Sequence, residues 1–142
     1  MVRSFALLVL VLAGCGGEAK SSGTPPGSTV PAIGGMPALT NVTTSDPRGE
    51  IFLYKGCPQC HSISTFGIKS PTEVGPDLAK AYADVQTRFG VKLNEFLNAP
   101  TGTMQMVLGS MIKLTPAERD SIIHILSELN EEHAEHGEGN HK

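Results

Sequence analysis

Within Cys57-Pro58-Gln59-Cys60-His61 two thiols stand three positions apart and an imidazole follows directly. Those residue types in that order suit covalent attachment of a c-type haem. The two thiols can add across the two vinyl groups on one side of a porphyrin. The next residue then lies under the iron as its proximal ligand, here His61. A five-residue motif also arises by chance, so its weight depends on what surrounds it. Thiol–disulfide exchange would use the same cysteine spacing, but that fold needs βαβ units, which the chain does not display. A zinc site would need a second pair of ligands, which the pattern does not supply.

The surroundings place the motif outside the cytoplasm. Met1-Val2-Arg3 is a short positive region, and Phe5 to Leu12 is an unbroken apolar run. The run falls short of the roughly 20 residues a spanning helix needs, and reads as an export signal over residues 1–14. It ends Leu12-Ala13-Gly14-Cys15, which resembles the lipobox of bacterial lipoproteins. The resemblance implies lipid on Cys15, with three acyl chains, where one alone would bind a membrane only marginally. Gly16 stands where an inner-membrane retention signal often places Asp, so the resemblance favours an outer membrane where one exists. The expected location is a bacterial membrane facing the periplasm or the cell exterior. This accounts for all three cysteines: one for lipid and two for haem, with none left for a structural disulfide.

Formal net charge is −3 over 142 residues, and loss of Arg3 with the signal makes the mature chain one unit more acidic. No basic surface for nucleic acid is indicated. Trp is absent and aromatics make up 5%, so side chains alone would give a thin core. A large flat apolar cofactor would supply what they do not.

The elements that must position the motif can be read around it. Residues 15–45 are rich in Gly, Ser, Thr and Pro and are expected to be a flexible tether. A coil of that length reaches roughly 30 Å. Val30 to Asn41 is its more apolar part and could drape over the domain. The folded part is expected over residues 46–130, near the lower size limit for an unaided core. A polar tail, 131–142, with His133, His136 and His141, is expected to be disordered. Asp46-Pro47 signals the start of a first helix that ends near Gly56. A second is expected over Asp77 to Phe89, with Leu78, Tyr82, Val85 and Phe89 inward and Gly90 as its stop. A short helix runs from Lys92 to Asn98, ahead of Pro100. Thr115-Pro116-Ala117-Glu118 is a capping box that opens the last helix, with Ile122, Ile123, Leu126 and Leu129 as its apolar stripe. No strand-like alternation stands out, so the expected class is all-α.

Taken together, residues 46–129 resemble class I cytochrome c. The resemblance implies a fold in which the N- and C-terminal helices cross and short helices wrap one covalent haem c. Gly49 stands where the family has a small residue at that crossing, and Ile122, Ile123 and Leu126 where the last helix packs. Leu53 and Ile125 replace residues often aromatic there, which makes that contact aliphatic. Gly75-Pro76-Asp77-Leu78 matches a G-P-x-L segment in which the Pro76 carbonyl would accept a hydrogen bond from Nδ1–H of His61.

The family's sixth iron ligand is usually a methionine after the short third helix. Pro100-Thr101-Gly102-Thr103-Met104 resembles its P-x-x-x-M form, which favours Met104. Met111-Ile112-Lys113-Leu114-Thr115 resembles an M-P-x-L-T form with Ile112 in place of Pro. Met106 and Met111 are therefore the alternatives, and at least two of the three methionines are core or loop residues. The implied function is a one-electron carrier, not an enzyme, that exchanges electrons with redox proteins. The alternative is a haem protein whose open sixth position binds or reduces a small ligand.

Other polar residues have plainer readings. His124 reads as a surface residue of the last helix, and the tail histidines as solvated despite their capacity for zinc or copper. Lys55, Lys69 and Lys113 could ring the haem edge and steer a partner, but in a balanced chain they read as surface charge. Glu73 and Asp77 read as helix-start charges.

Overall fold

The computed structural model describes residues 28–138. The signal, Cys15, the first part of the tether up to residue 27, and His141 lie outside that range. Asp46 opens the first helical segment as expected: its carboxylate accepts from the Arg48 N–H at 2.8 Å, and Pro47–Gly49 forms a 3-10 turn that leads into α1 (Glu50–Lys55). Gly56, at φ 75°, ends α1 in the left-handed conformation that glycine adopts without strain.

The remaining helices are α2 (Ala81–Phe89), α3 (Leu93–Asn98), α4 (Thr103–Met106) and α5 (Pro116–Glu138). Gly90 stops α2 in the left-handed conformation. The capping box of α5 is reciprocal: Thr115 N–H donates to Glu118 Oε2 at 2.8 Å, and Glu118 N–H donates to Thr115 Oγ1 at 3.3 Å.

The architecture is a small, mostly helical domain in which α1 packs against the long α5. Phe52 and Leu53 meet a core that includes Ile122, Leu126 and Leu129 of α5. At the outer end of the pair, Arg48 reaches Glu128 at 3.3 Å and Glu132 at 2.9 Å. These groups are partly solvated, so the pairs orient the helices more than they stabilise them.

Five features differ from the sequence reading. The stretch expected to be tether contains an antiparallel hairpin, β1 (Ser28–Val30) and β2 (Leu39–Val42), so the domain is not purely helical. Burial explains it: Val30 is fully enclosed and Ile33 nearly so. Within the expected tail, α5 continues to Glu138. Good helix formers run from Glu131 to Glu135 without Gly or Pro, Glu132 is tied to Arg48, and His133 Nε2 lies 3.3 Å from Thr65 Oγ1.

In α2 Ala81 and Val85 are buried and Tyr82 is exposed, while Phe89 is half-exposed yet lines the internal cavity. Phe89 also lies beside Phe96 of α3, with ring centroids 4.8 Å apart. On α5, Ile122, Leu126 and Leu129 are buried, while Ile123 is only half-buried and Ile125 packs at the core's edge. The nearest atoms to a Cβ at Gly49 would belong to Thr44 and Ile68, so the turn from β2 into α1 is what keeps that residue small.

Candidate functional site

Cys57 to Gln59 form one 3-10 turn directly after α1, and Cys60 caps it with an N–H bond to the Cys57 carbonyl at 3.2 Å. Cys60 follows the turn, and both cysteines border the same cavity. The His61 N–H also bonds the Cys57 carbonyl, at 3.0 Å, which places the imidazole beside the thiols. The cysteines are not joined to each other.

A second segment runs alongside. Gly75 N–H bonds the Cys60 carbonyl at 2.8 Å, and Leu78 N–H bonds the Ser62 carbonyl at 2.9 Å. This brings the Pro76 carbonyl to 2.7 Å from His61 Nδ1. A carbonyl can only accept, so Nδ1 carries a proton, and in the neutral ring the lone pair is then on Nε2. That is the tautomer a metal-binding imidazole needs, with its ring orientation fixed from behind.

Asp77 secures the same segment by accepting from the N–H groups of Ser64 and Ala79 at 3.1 and 3.0 Å. Burial opposes its ionisation. The hydrogen bonds from Ser64 and Ala79 and the charge of Lys80 outweigh that, and its pKa is lowered. Gly75 is held against the imidazole, and a Cβ there would run into the His61 ring.

Cys57, Cys60, His61 and Pro76 line one cavity of about 490 Å³. Its far walls come from α2, α3 and α5 through Val85, Phe96 and Leu126 among others, and its charged lining is Asp84 and Arg88. The walls are mostly apolar, so water filling this space finds few hydrogen-bond partners and an apolar guest would gain from entering it. The donor set and walls together fit a flat apolar macrocycle: thiols on one side, an imidazole lone pair beneath, and hydrocarbon around it.

The three candidate methionines separate by position. Met104, on α4, lines the cavity and packs against the core. Met106 is 55% exposed and is not part of the wall. Met111 lines the cavity from the end of a π-helical turn, Val107–Met111, but its sulfur lies against Gly34. Sequence reasoning missed that turn, and it also missed Ile33 and Met36 of the hairpin as parts of the wall. The apolar character of Val30 to Asn41 was the available signal.

Burial, with a smaller contribution from the neighbouring Cys60, pushes the Cys57 thiol up to about 12. A reactive exchange cysteine requires the opposite shift, toward thiolate. Among the described residues, no three His, Cys, Asp or Glu side chains converge as a metal-binding group. Lys55 is not free to steer a partner: it pairs with Glu118 at 2.7 Å and donates to the Lys113 carbonyl at 3.1 Å. His124 is exposed on α5, within 3.4 Å of Glu128. Among the described residues no helix is long and apolar enough to cross a membrane.

In comparisons with known proteins, no family model, curated protein or solved structure matches the chain.

Proposed function

We propose that this chain is a lipid-anchored c-type cytochrome with one covalent haem, carrying single electrons between redox proteins outside the cytoplasm. The observation that carries the reading is the convergence of Cys57, Cys60, His61 and Met104 on one apolar cavity, with His61 oriented by the Pro76 carbonyl. Cys57 and Cys60 would hold the porphyrin by thioether bonds, and His61 and Met104 would be the axial ligands. Bound there, haem would supply a metal centre that alternates between ferrous and ferric states. A thioether opposite an imidazole favours the ferrous state and raises the potential.

The protein's own share of the work is positional. Pro76 keeps His61 in the ligating tautomer, Gly75 lets the segment lie flat against the ring, and the apolar walls exclude water. With His61 and Met104 both holding the metal, no substrate would need to reach it. The finer fold expected from the sequence, the cytochrome c arrangement around haem, belongs to this proposal. So do the lipid on Cys15 and the periplasmic or exterior location.

The test is acid–acetone extraction of protein made in a strain with haem-ligation machinery. Colour that stays with the protein, together with a mass gain of one haem, supports the reading. Colour that leaves with the organic phase refutes it. An oxidised protein without the weak charge-transfer band of methionine-bound iron, binding carbon monoxide readily, would instead indicate an open sixth position. Changing Cys15→Ser should release the protein from membranes with its spectrum unchanged, and continued membrane fractionation would refute the anchor.

A further inference from the structure

Gln59 is the second variable residue of the attachment motif and is 2% exposed. Its side-chain amide nitrogen donates to two carbonyls, Pro31 at 3.0 Å and Pro37 at 2.8 Å. These lie on opposite limbs of the hairpin, at the neck of the loop 31–37. The strand ladder pairs Val30 with Leu39 and resumes only as the single bridge between Ile33 and Met36, and neither proline between them has an N–H to fill the gap. One buried amide therefore ties both limbs to the motif. Beyond the neck, Gly34 and Gly35 both have positive φ, and Met36 N–H bonds the Ile33 carbonyl at 2.9 Å. This is a two-residue turn of the kind that glycine pairs favour.

The loop lies over the candidate site. Ile33 and Met36 line the cavity. Ile33 fills the space a Cβ at Gly56 would need, and Gly34 meets the sulfur of Met111. The hairpin thus spans from the turn that carries Cys57 to the methionine-bearing segment beyond α4. Backbone contacts on the other side of the motif are separate: Thr72 Oγ1 donates to the Gln59 carbonyl at 2.7 Å.

We infer that the loop 31–37 is a strap forming one wall of the cofactor pocket, and that Gln59 is the positioning residue that fastens it. The inference rests on the haem reading above. The strap would exclude water from one edge of the haem, and its Gly34 packs against the sulfur of Met111. Water exclusion disfavours the more highly charged ferric centre, so a closed strap raises the reduction potential.

The test compares the full-length haem-loaded protein with Gln59→Leu, which keeps the bulk but removes both donors. Loss of two hydrogen bonds should raise opening of the strap about thirtyfold, equivalent to about 2 kcal/mol. The Met36 amide should exchange hydrogen faster by that factor, cyanide should bind the ferric protein faster, and the reduction potential should fall. Ile33→Ser, which loosens the strap without touching the motif, should move all three in the same directions and decides the matter if Gln59→Leu does not fold. Unchanged exchange, cyanide rate and potential in a folded, haem-loaded variant would overturn the inference. Faster exchange with cyanide rate and potential unmoved would also overturn it, leaving Gln59 a purely structural clamp. Wild-type protein without covalent haem would refute the function proposed above. In that case the exchange measurement still decides whether Gln59 fastens the strap.

Discussion

Gly75→Ala isolates the contact between the Gly75-Pro76 segment and His61. A Cβ at Gly75 would fall within 3.0 Å of three atoms of the His61 ring. Either the imidazole turns or the segment backs away, and both moves strain the 2.7 Å bond from His61 Nδ1 to the Pro76 carbonyl. Overpacking of this kind costs about 1–3 kcal/mol, and loss of the hydrogen bond adds about 1 kcal/mol. The expected loss is therefore about 2–4 kcal/mol. With a urea slope of about 2 kcal/mol per molar, the midpoint should fall by about 1–2 M.

Gly109→Ala is the matched control, because a Cβ there would meet nothing within 4 Å. It should leave stability unchanged or raise it slightly. Urea titration of the two haem-loaded variants beside wild type measures both. The oxidised spectrum of Gly75→Ala should also change, because the imidazole no longer keeps its orientation. A Gly75→Ala protein as stable as Gly109→Ala, with a wild-type spectrum, would refute the claim that this glycine exists to let His61 sit where it does.

Two further predictions concern the methionine and acid sensitivity. Met104→Ala should abolish the charge-transfer band of methionine-bound ferric iron and open the protein to cyanide, whereas Met106→Ala should leave the band intact, as expected for an exposed residue outside the wall. Loss of the band in Met106→Ala or Met111→Ala instead would reassign the ligand. The stability that three carboxylates contribute should be complete above about pH 5 and be lost as the solution is acidified. The reason is that Asp46, Asp77 and Glu118 all have pKa values lowered by folding, from ordinary values of 3.8 for the aspartates and 4.5 for Glu118. A carboxylate whose pKa is lowered on folding contributes stability that is complete above its unfolded value and lost as pH drops through its folded one. For Glu118 the causes are hydrogen bonds from Lys55 and from Thr115 N–H. Glu118→Gln should accordingly shallow the acid limb of a urea-midpoint-against-pH curve, and an unaltered limb would remove Glu118 from the account.

The parts of the fold that the sequence disclosed are those set by local chemistry. Asp46-Pro47 and Thr115 through Glu118 act through hydrogen bonds within three residues, so their caps could be read directly. The placement of Cys57, Cys60 and His61 is likewise local, because one short turn and the residues directly after it carry them. The hairpin was hidden because its stability is not local. Gly34-Gly35 and the prolines on either side look like linker composition, and the contacts that order them are distant: Val30 and Ile33 are buried against the domain, and Gln59, more than 20 residues away, donates to Pro31 and Pro37. The rotation of α2 was hidden for a related reason. Tyr82 is at helical spacing and apolar enough to be core. Small Ala81 is buried instead, because the space beside it belongs to the cavity.

That last point explains why core and site could not be told apart in the sequence. Phe52, Val85, Leu93, Phe96, Ile122 and Leu126 all belong to the buried cluster, and all line the cavity as well. In most domains such residues meet one another and close the core. Here one side of each faces a shared space, so the contacts that hold α1, α2, α3 and α5 together continue into whatever fills it. On the haem reading proposed above, a guest would complete that packing in a chain with 5% aromatics and no Trp. The low aromatic content and the CxxCH motif would then answer one requirement. The thiols would hold the guest, and the guest would provide the apolar bulk that the side chains lack.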